Sequence, residues 1–276
     1  MGKSLSFYKM SGSGNDFIII DNRSGLIGVN EGSALARRLC RRKVSVGADG
    51  LILIEPPSMP DAAFKWRFYN ADGSEAEMCG NGGRCAARFA YVNRIAGPEM
   101  TLETIAGLIR AEVTDHRVKL EMVPPRDLRM DIKVLTNQGK YVVHFINTGV
   151  PHVVHFVPDL DKVNVPDWGR SIRFHAEFQP AGANVNLVRV LDRQNISIRT
   201  YERGVEDETL ACGTGSVAAA IIASLKHGIV PPVHVQTHGG EILDVYFKSG
   251  PGGISHVFLE GEAKIVYEGL LREERL

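Results

Sequence analysis

The chain has little of what would place it in a class at once. Only four cysteines, Cys40, Cys79, Cys85 and Cys212, occur in 276 residues, too few and too scattered for a disulfide scaffold. None forms a C-x-x-C pair, so no redox motif is present, and the Cys79–Cys85 gap does not suit a metal site. No apolar run approaches the ~18–20 residues of a membrane span. Met1 to Met10 lacks the apolar core of a signal peptide. Lys plus Arg and Asp plus Glu both number 32, so no excess charge attracts nucleic acid or a membrane surface. These absences point to a globular protein of the reducing cytoplasm, with no metal, nucleic acid or membrane among its partners.

What is present is a duplicated motif. Cys79 lies in Glu77-Met78-Cys79-Gly80-Asn81-Gly82-Gly83-Arg84, and Cys212 in Leu210-Ala211-Cys212-Gly213-Thr214-Gly215-Ser216. Each is followed by a glycine-rich turn and then a long apolar run, so each is expected at the N-terminus of a helix. Free backbone N–H groups and the helix dipole there favour a thiolate, and both thiols are expected to have a lowered pKa. Neither glycine loop continues as Gly-Lys-Ser/Thr, so neither is a phosphate cradle. Gly12-x-Gly14 lacks the third glycine of a dinucleotide fingerprint and precedes a strand. Cys40 and Cys85 lack the equivalent setting and read as small buried hydrophobes.

Hydrophobic residues make up 44% and charged residues 23%, enough for one large domain or two of ordinary size. Alternating runs such as Phe64–Tyr69 and Arg117–Met122 predict strands with one buried face. The latter forms a hairpin with Leu108–Thr114 across Asp115-His116. Further strands are expected at Phe17–Asp21, Leu51–Ile54, Tyr141–Ile146, Val185–Leu191, Ile196–Tyr201, Val233–Thr237, Leu243–Phe247 and His256–Glu260. Three helices stand out, at about Glu31–Lys43, Gly82–Ile95 and Thr214–Lys226, the last two closed by Gly97 and Gly228. The helix from Thr214 is apolar almost all round and belongs inside the protein. The pattern predicts an α+β chain of two similar units, with a linker near Pro124-Pro125. Residues 1–122 with 263–276 would form the first domain, carrying Cys79, and residues 123–262 the second, carrying Cys212. Ala263–Leu270 is expected to return to the first domain as an edge strand.

Two facing helix N-termini could share one α-carboxylate through Gly80, Asn81, Gly213 and Thr214, since free N–H groups converge there. One thiolate could then remove a proton from the adjacent carbon while the opposite thiol delivers one to the other face. That inverts the carbon without a cofactor. The α-proton is weakly acidic, so the scheme depends on preorganised donors, each worth ~3–4 kcal/mol, and on acid–base catalysis worth ~10²–10⁴-fold.

The combined pattern resembles the diaminopimelate epimerase family. The resemblance spans nearly the whole chain. It rests on Phe7–Phe17, on Asn70-Ala71-Asp72-Gly73-Ser74 running to Met78-Cys79-Gly80-Asn81-Gly82, and on Gly149-x-Pro151-His152. It continues through Gly182-Ala183-Asn184-Val185-Asn186 and Tyr201-Glu202-Arg203-Gly204, ending on Ala211-Cys212-Gly213-Thr214-Gly215. It implies two pseudo-symmetric α/β domains, each a barrel-like, mostly antiparallel sheet around a central helix, with substrate in the cleft between. It implies interconversion of LL- and meso-2,6-diaminopimelate, toward lysine and peptidoglycan precursors, with no cofactor and with a homodimer as the assembly. Cys79 and Cys212 would be the paired base and acid, with His152 and Glu202 positioning or activating the reacting centre. Asn15, Asn70, Asn184, Glu202 and Arg203 would contact the distal end of the substrate.

On the residues alone other readings stay open. His152 also reads as a turn histidine satisfied by backbone, Glu202 as a solvated charge, and Asn15 as part of an ordinary Gly-Asn-Asp turn. The chain departs from the family pattern at Ser11, where many members carry histidine, and at Val150, where some carry asparagine. Its Glu202–Cys212 stretch is one residue longer than in some relatives. The alternatives are a two-cysteine racemase of another amino acid such as proline or hydroxyproline, or a non-catalytic amino-acid-binding or thiol-sensing protein. Phenazine-type isomerases are disfavoured by the two intact cysteines.

Overall fold

The computed structural model describes residues 4–272. By their contacts these fall into two units: one runs to Leu120 and resumes at Gly261, and the other is Glu121–Glu260.

The first unit opens with β1 (Ser4–Gly12), β2 (Asn15–Asp21), α1 (Gly32–Leu39), β3 (Gly50–Glu55) and β4 (Phe64–Asn70). It continues with α2 (Gly80–Val92), β5 (Glu99–Thr104), β6 (Gly107–Thr114) and β7 (Arg117–Glu121). The second unit has β8 (Arg126–Thr136), β9 (Gly139–Asn147), β10 (Pro151–Phe156), α3 (Val165–Arg173), β11 (Asn184–Val190) and β12 (Asn195–Glu202). After these come β13 (Asp207–Thr209), α4 (Gly213–His227), β14 (Val233–Gln236), β15 (Ile242–Gly250) and β16 (Gly253–Glu262). The last strand, β17 (Lys264–Arg272), pairs antiparallel with β1 and so belongs to the first unit.

The pairing repeats. In the first unit the order β17-β1-β2-β3-β4-β5-β6-β7 is antiparallel except for β2–β3 and β4–β5. In the second unit the order β8-β9-β10-β11-β12-β14-β15-β16 is antiparallel except for β10–β11 and β12–β14. The two parallel steps fall at the same places, and each is bridged by a helix, as a parallel connection requires. α1 corresponds to α3, and α2 to α4.

Each unit packs a helix on either side of its sheet. α2 supplies Ala86, Phe89 and Ala90 to a core with Phe17, Ile52, Trp66, Leu102 and Leu120. On the other face Leu35, Ala36 and Leu39 of α1 cover Ile18, Ile20, Leu51 and Leu53. This double burial explains why β2 and β3 are almost continuously apolar where a one-faced strand would alternate. In the second unit Val217–Ala223 of α4 fill the core with Val154, Ile196 and Val235, and Trp168 and Ile172 of α3 lie against Val153, Val185 and Leu187 on the other face. Each such buried aliphatic side chain contributes about 1.5–3 kcal/mol relative to exposure.

Several expectations need correction. α1 stops at Leu39, short of Lys43, because the Leu39 and Cys40 carbonyls accept from Gly47 and Ala48 of the following loop. α2 starts at Gly80 and ends at Val92, and the left-handed residue after it is Arg94 (φ 57°), not Gly97. Gly228 does cap α4 in the left-handed conformation, φ 68°. α3 has no counterpart in the expectations.

Candidate active site

Both cysteines are helix N-caps in extended conformation, Cys79 on α2 and Cys212 on α4. The chain is extended up to each sulfur and helical beyond it, so the first-turn N–H groups gather around the side chain. Cys79 is half-buried, and its Sγ accepts from Gly82 N–H at 3.4 Å. Cys212 is buried, with Sγ 3.6 Å from Thr214 Oγ1.

Burial pushes the Cys212 thiol up to about 12, and the negative charge of Glu202 pushes the same way. The Thr214 hydroxyl and the Gly215 and Thr214 N–H groups oppose this and lose. The expectation that the helix end lowers this thiol's pKa is therefore overturned: a charge inside the protein loses more hydration than the first-turn donors return. Cys40, also pushed up to about 12 by burial, and Cys85, fully enclosed in the core, behave as packing residues.

In the first unit Asn81 Nδ2 donates to Asn15 Oδ1 at 2.8 Å, and Asn15 Nδ2 donates to Asp49 Oδ2 at 3.0 Å. The structure thus brings Asn15, Gly80, Asn81 and Cys79 into one cluster. Asn70, at the end of β4, donates to Ser74 Oγ within its own turn at 3.0 Å. Arg84, fully buried one turn along α2, donates through Nη2 to Ser13 Oγ and Asn81 Oδ1. The bond to Oδ1 holds the Asn81 amide with its Nδ2 toward Asn15.

In the second unit His152 of β10 is fully buried, and its Nε2 lies 2.9 Å from Thr214 Oγ1. Burial, aided by the charge of Arg203, pushes its imidazole down to about 3, so it is neutral at physiological pH. Glu202, at the end of β12, accepts from Thr209 Oγ1 at 3.0 Å, and burial raises its carboxyl above the ordinary value. Asn184 Oδ1 accepts from the Arg203 backbone N–H at 2.7 Å, and Arg203 Nη1 donates to Ala181 O at 3.1 Å. Thus His152, Thr214, Gly213 and Cys212 form one cluster, joined electrostatically by Glu202, while Asn184 and Arg203 hold each other. Sequence reasoning gave no role to Ser13, Arg84, Thr148, Asn186 or Thr200. Polar residues at inward positions of apolar elements were the available signal, since a buried polar side chain needs a partner.

A helix N-terminus bearing a thiol, with neutral hydrogen-bonding side chains beneath it, can bind a carboxylate and move a proton at the neighbouring carbon. The diaminopimelate epimerase family model matches residues 7–127 and 144–266. The Aquifex aeolicus diaminopimelate epimerase is 49% identical over 284 residues, covering 99% of each chain. The Archaeoglobus fulgidus diaminopimelate epimerase is 40% identical, covering 99% of this chain and 98% of its own. Among solved structures, a Bacillus anthracis phenazine biosynthesis protein of the PhzF family superposes with a TM-score of 0.73 at 16% identity, over 98% of this chain and 99% of its own. A probable proline racemase from Agrobacterium radiobacter K84 gives 0.67 at 17% identity, over 96% and 92%. These two likenesses show the fold.

Proposed function

The chain belongs to the diaminopimelate epimerase family, and from that premise we propose that it interconverts LL- and meso-2,6-diaminopimelate with two cysteines and no cofactor. The observation that carries the proposal is the repeated placement of a cysteine as N-cap of the central helix in two units of the same strand order. In this reading one thiol, as thiolate, removes the α-proton from one face of the substrate carbon, and the other delivers a proton to the opposite face. Cys212, held protonated by burial and by Glu202, suits the delivering role in the resting protein. Cys79 takes the accepting role, and the roles exchange in the reverse direction.

Gly80, Asn81, Gly213 and Thr214 supply first-turn groups to the α-carboxylate, where negative charge develops as the proton leaves. His152 and Glu202 tune the reacting groups, the first as a neutral donor and the second as a nearby charge. Asn15, Asn70, Asn184, Glu202 and Arg203 hold the distal amino-acid end, Arg203 by a bidentate grip on its carboxylate. We assign the two units as the two epimerase domains, place the protein in the cytoplasm, which the low count of four cysteines in 276 residues favours, and expect a homodimer on the family resemblance.

The test is incubation of the reduced protein with LL-diaminopimelate in D₂O, without pyridoxal phosphate. The expected product is the meso form with one deuterium at the inverted carbon. Unchanged LL substrate with no deuterium would overturn the proposal. Exchange with proline or hydroxyproline in its place would assign the chain to the racemase alternative.

A further inference from the structure

Beneath the Cys212 end of α4 lie three polar side chains whose counterparts in the other unit are apolar. The correspondence follows from the pairing. Gly82 and Gly215 each stand three residues after their cysteine. A Cβ on Gly82 would meet Ile52 Cδ1 at 3.3 Å, and one on Gly215 would meet Asn186 Oδ1 at 2.4 Å. Ile52 pairs across β3–β4 with Phe68, and Asn186 pairs across β11–β12 with Thr200. On the other side Ile52 pairs with Ile19, and Asn186 with Val154. Two residues back along those strands stand Phe17 and His152. The apolar set Phe17, Ile52 and Phe68 in one core is therefore answered by His152, Asn186 and Thr200 in the other unit. Such an exchange costs stability unless every polar atom finds a partner, so its use lies elsewhere than in packing.

We infer that Asn186 is a positioning residue that fixes His152 with its proton on Nε2, so that donors directed from His152 through Thr214 end on the Cys212 sulfur. The inference rests on the reading of Cys212 as one of the two reacting thiols. The geometry leaves little choice. Asn186 Nδ2 lies 2.9 Å from the Val153 carbonyl oxygen and 3.1 Å from His152 Nδ1. A carbonyl can only accept, so the atom facing it is the amide nitrogen, and the orientation of the amide is settled without appeal to the ring. Thr200 Oγ1 donates to Oδ1 at 3.0 Å, which agrees. One amide hydrogen goes to Val153, and the second is aimed at Nδ1, which must accept it. A neutral imidazole with an accepting Nδ1 carries its hydrogen on Nε2.

From Nε2 that hydrogen is donated to Thr214 Oγ1 at 2.9 Å. The hydroxyl's own hydrogen is then free for Cys212 Sγ, 3.6 Å away. Thr148 Oγ1 donates to the Thr214 carbonyl at 2.9 Å and holds the first turn in place. With every link pointing toward sulfur, the chain favours the thiolate, the state Cys212 enters once its proton has been delivered. Reversing the His152 tautomer would turn the Thr214 hydroxyl toward the ring and leave the sulfur facing a lone pair. Gly215 belongs to the same device, because the Asn186 amide occupies the space a side chain there would take.

The first measurement is the ¹⁵N shift pair of His152 in the unaltered, reduced, full-length protein, identified by its loss in His152→Gln. The expected result is a protonated Nε2 and bare Nδ1, unchanged between about pH 5 and 8. A proton on Nδ1, or a ring that titrates in that range, would overturn the inference. Asn186→Asp puts an acceptor opposite Nδ1 and is expected to move the proton there. A proton that stays on Nε2 in that variant would show that Asn186 does not set the tautomer. Finally, Thr214→Val in a Cys79→Ala background removes the last donor. Alkylation of Cys212 by iodoacetamide at fixed pH should slow about tenfold, the effect of one hydrogen bond to a charged group; an unchanged rate would disconnect the sulfur from the chain. A purely structural Asn186 would leave the His152 proton where it is in Asn186→Asp, and none of the three measurements uses diaminopimelate, so a failed epimerase assay and a failed inference are told apart.

Discussion

The two cysteine helices stand at the same step of the same strand order, yet what surrounds them differs in kind. Five residues beyond Cys79, α2 carries the buried Arg84, whose guanidinium holds Ser13 and Asn81. Five residues beyond Cys212, α4 carries Val217, buried among aliphatic side chains. Around Cys212 the polarity comes instead from the sheet, through His152, Asn186 and Thr200, and the nearby charge is the carboxylate of Glu202. Cys79 is half-buried and Cys212 buried. The shared strand order keeps the position of each thiol while the surroundings differ. The two thiols are thus equivalent in position and unequal in surroundings, and burial together with Glu202 favours the protonated form of Cys212.

The largest effects are expected at the thiols themselves. Cys79→Ala and Cys212→Ala are each expected to lower kcat by about 10²–10⁴-fold, the value of positioned acid–base catalysis. An assay of meso product with full turnover in either variant would mean that one thiol suffices. Next comes Arg84→Met, which frees the Asn81 amide and is expected to raise KM about tenfold, one charge-assisted hydrogen bond's worth. Unaltered KM would remove Arg84 from the account of the first unit. Val217→Ala at the matching position of α4 should leave KM unchanged and cost about 1–2 kcal/mol in urea unfolding, as a buried truncation does.

Acid acts on two titratable groups of the second unit, with opposite signs. The His152 value is depressed from 6.5 to about 3, so its contribution to stability is complete above pH 6.5 and is lost as pH falls toward 3. Thermal unfolding over that window should fall more steeply in the unaltered protein than in His152→Gln. Glu202 has the opposite sign. Its value is raised above 4.5, so its contribution favours the fold at low pH and is lost as pH rises. Glu202→Gln should therefore raise Tm at neutral pH, with the gain disappearing below pH 4.5. A gain that persists in acid would assign the effect to packing instead.

Much of this was legible in the residues. The glycine-rich runs after Cys79 and Cys212 gave both central helices, though α2 begins two residues earlier than expected because Gly80 and Asn81 read as turn. α3 was hidden by Val163 and Val165, which suggest a strand. Asn164 before Val165-Pro166-Asp167, an N-cap followed by proline and an acid in the first turn, was the signal for it. β8 escaped notice because its pairing with β9 shifts twice and Asp127 and Asp131 take positive φ, which breaks the alternation. At the site, the thiols and their first turns were readable from local sequence. The pKa of Cys212 was not, since burial comes from residues distant in the chain and outweighs the helix end. Asn186 was visible within a motif, but its partners Thr200, His152 and Val153 became apparent only through strand register.

The return of the chain as β17 has a consequence for how the molecule is made. The second unit is one continuous stretch, while the first waits for a strand encoded after it. During synthesis the earlier half is therefore the later one to be completed, and the β1 edge that β17 covers stays open while some 140 intervening residues, Glu121–Glu260, leave the ribosome. A newly made chain thus passes through an interval in which the second unit can already be folded and the first still offers an unpaired strand edge to solvent.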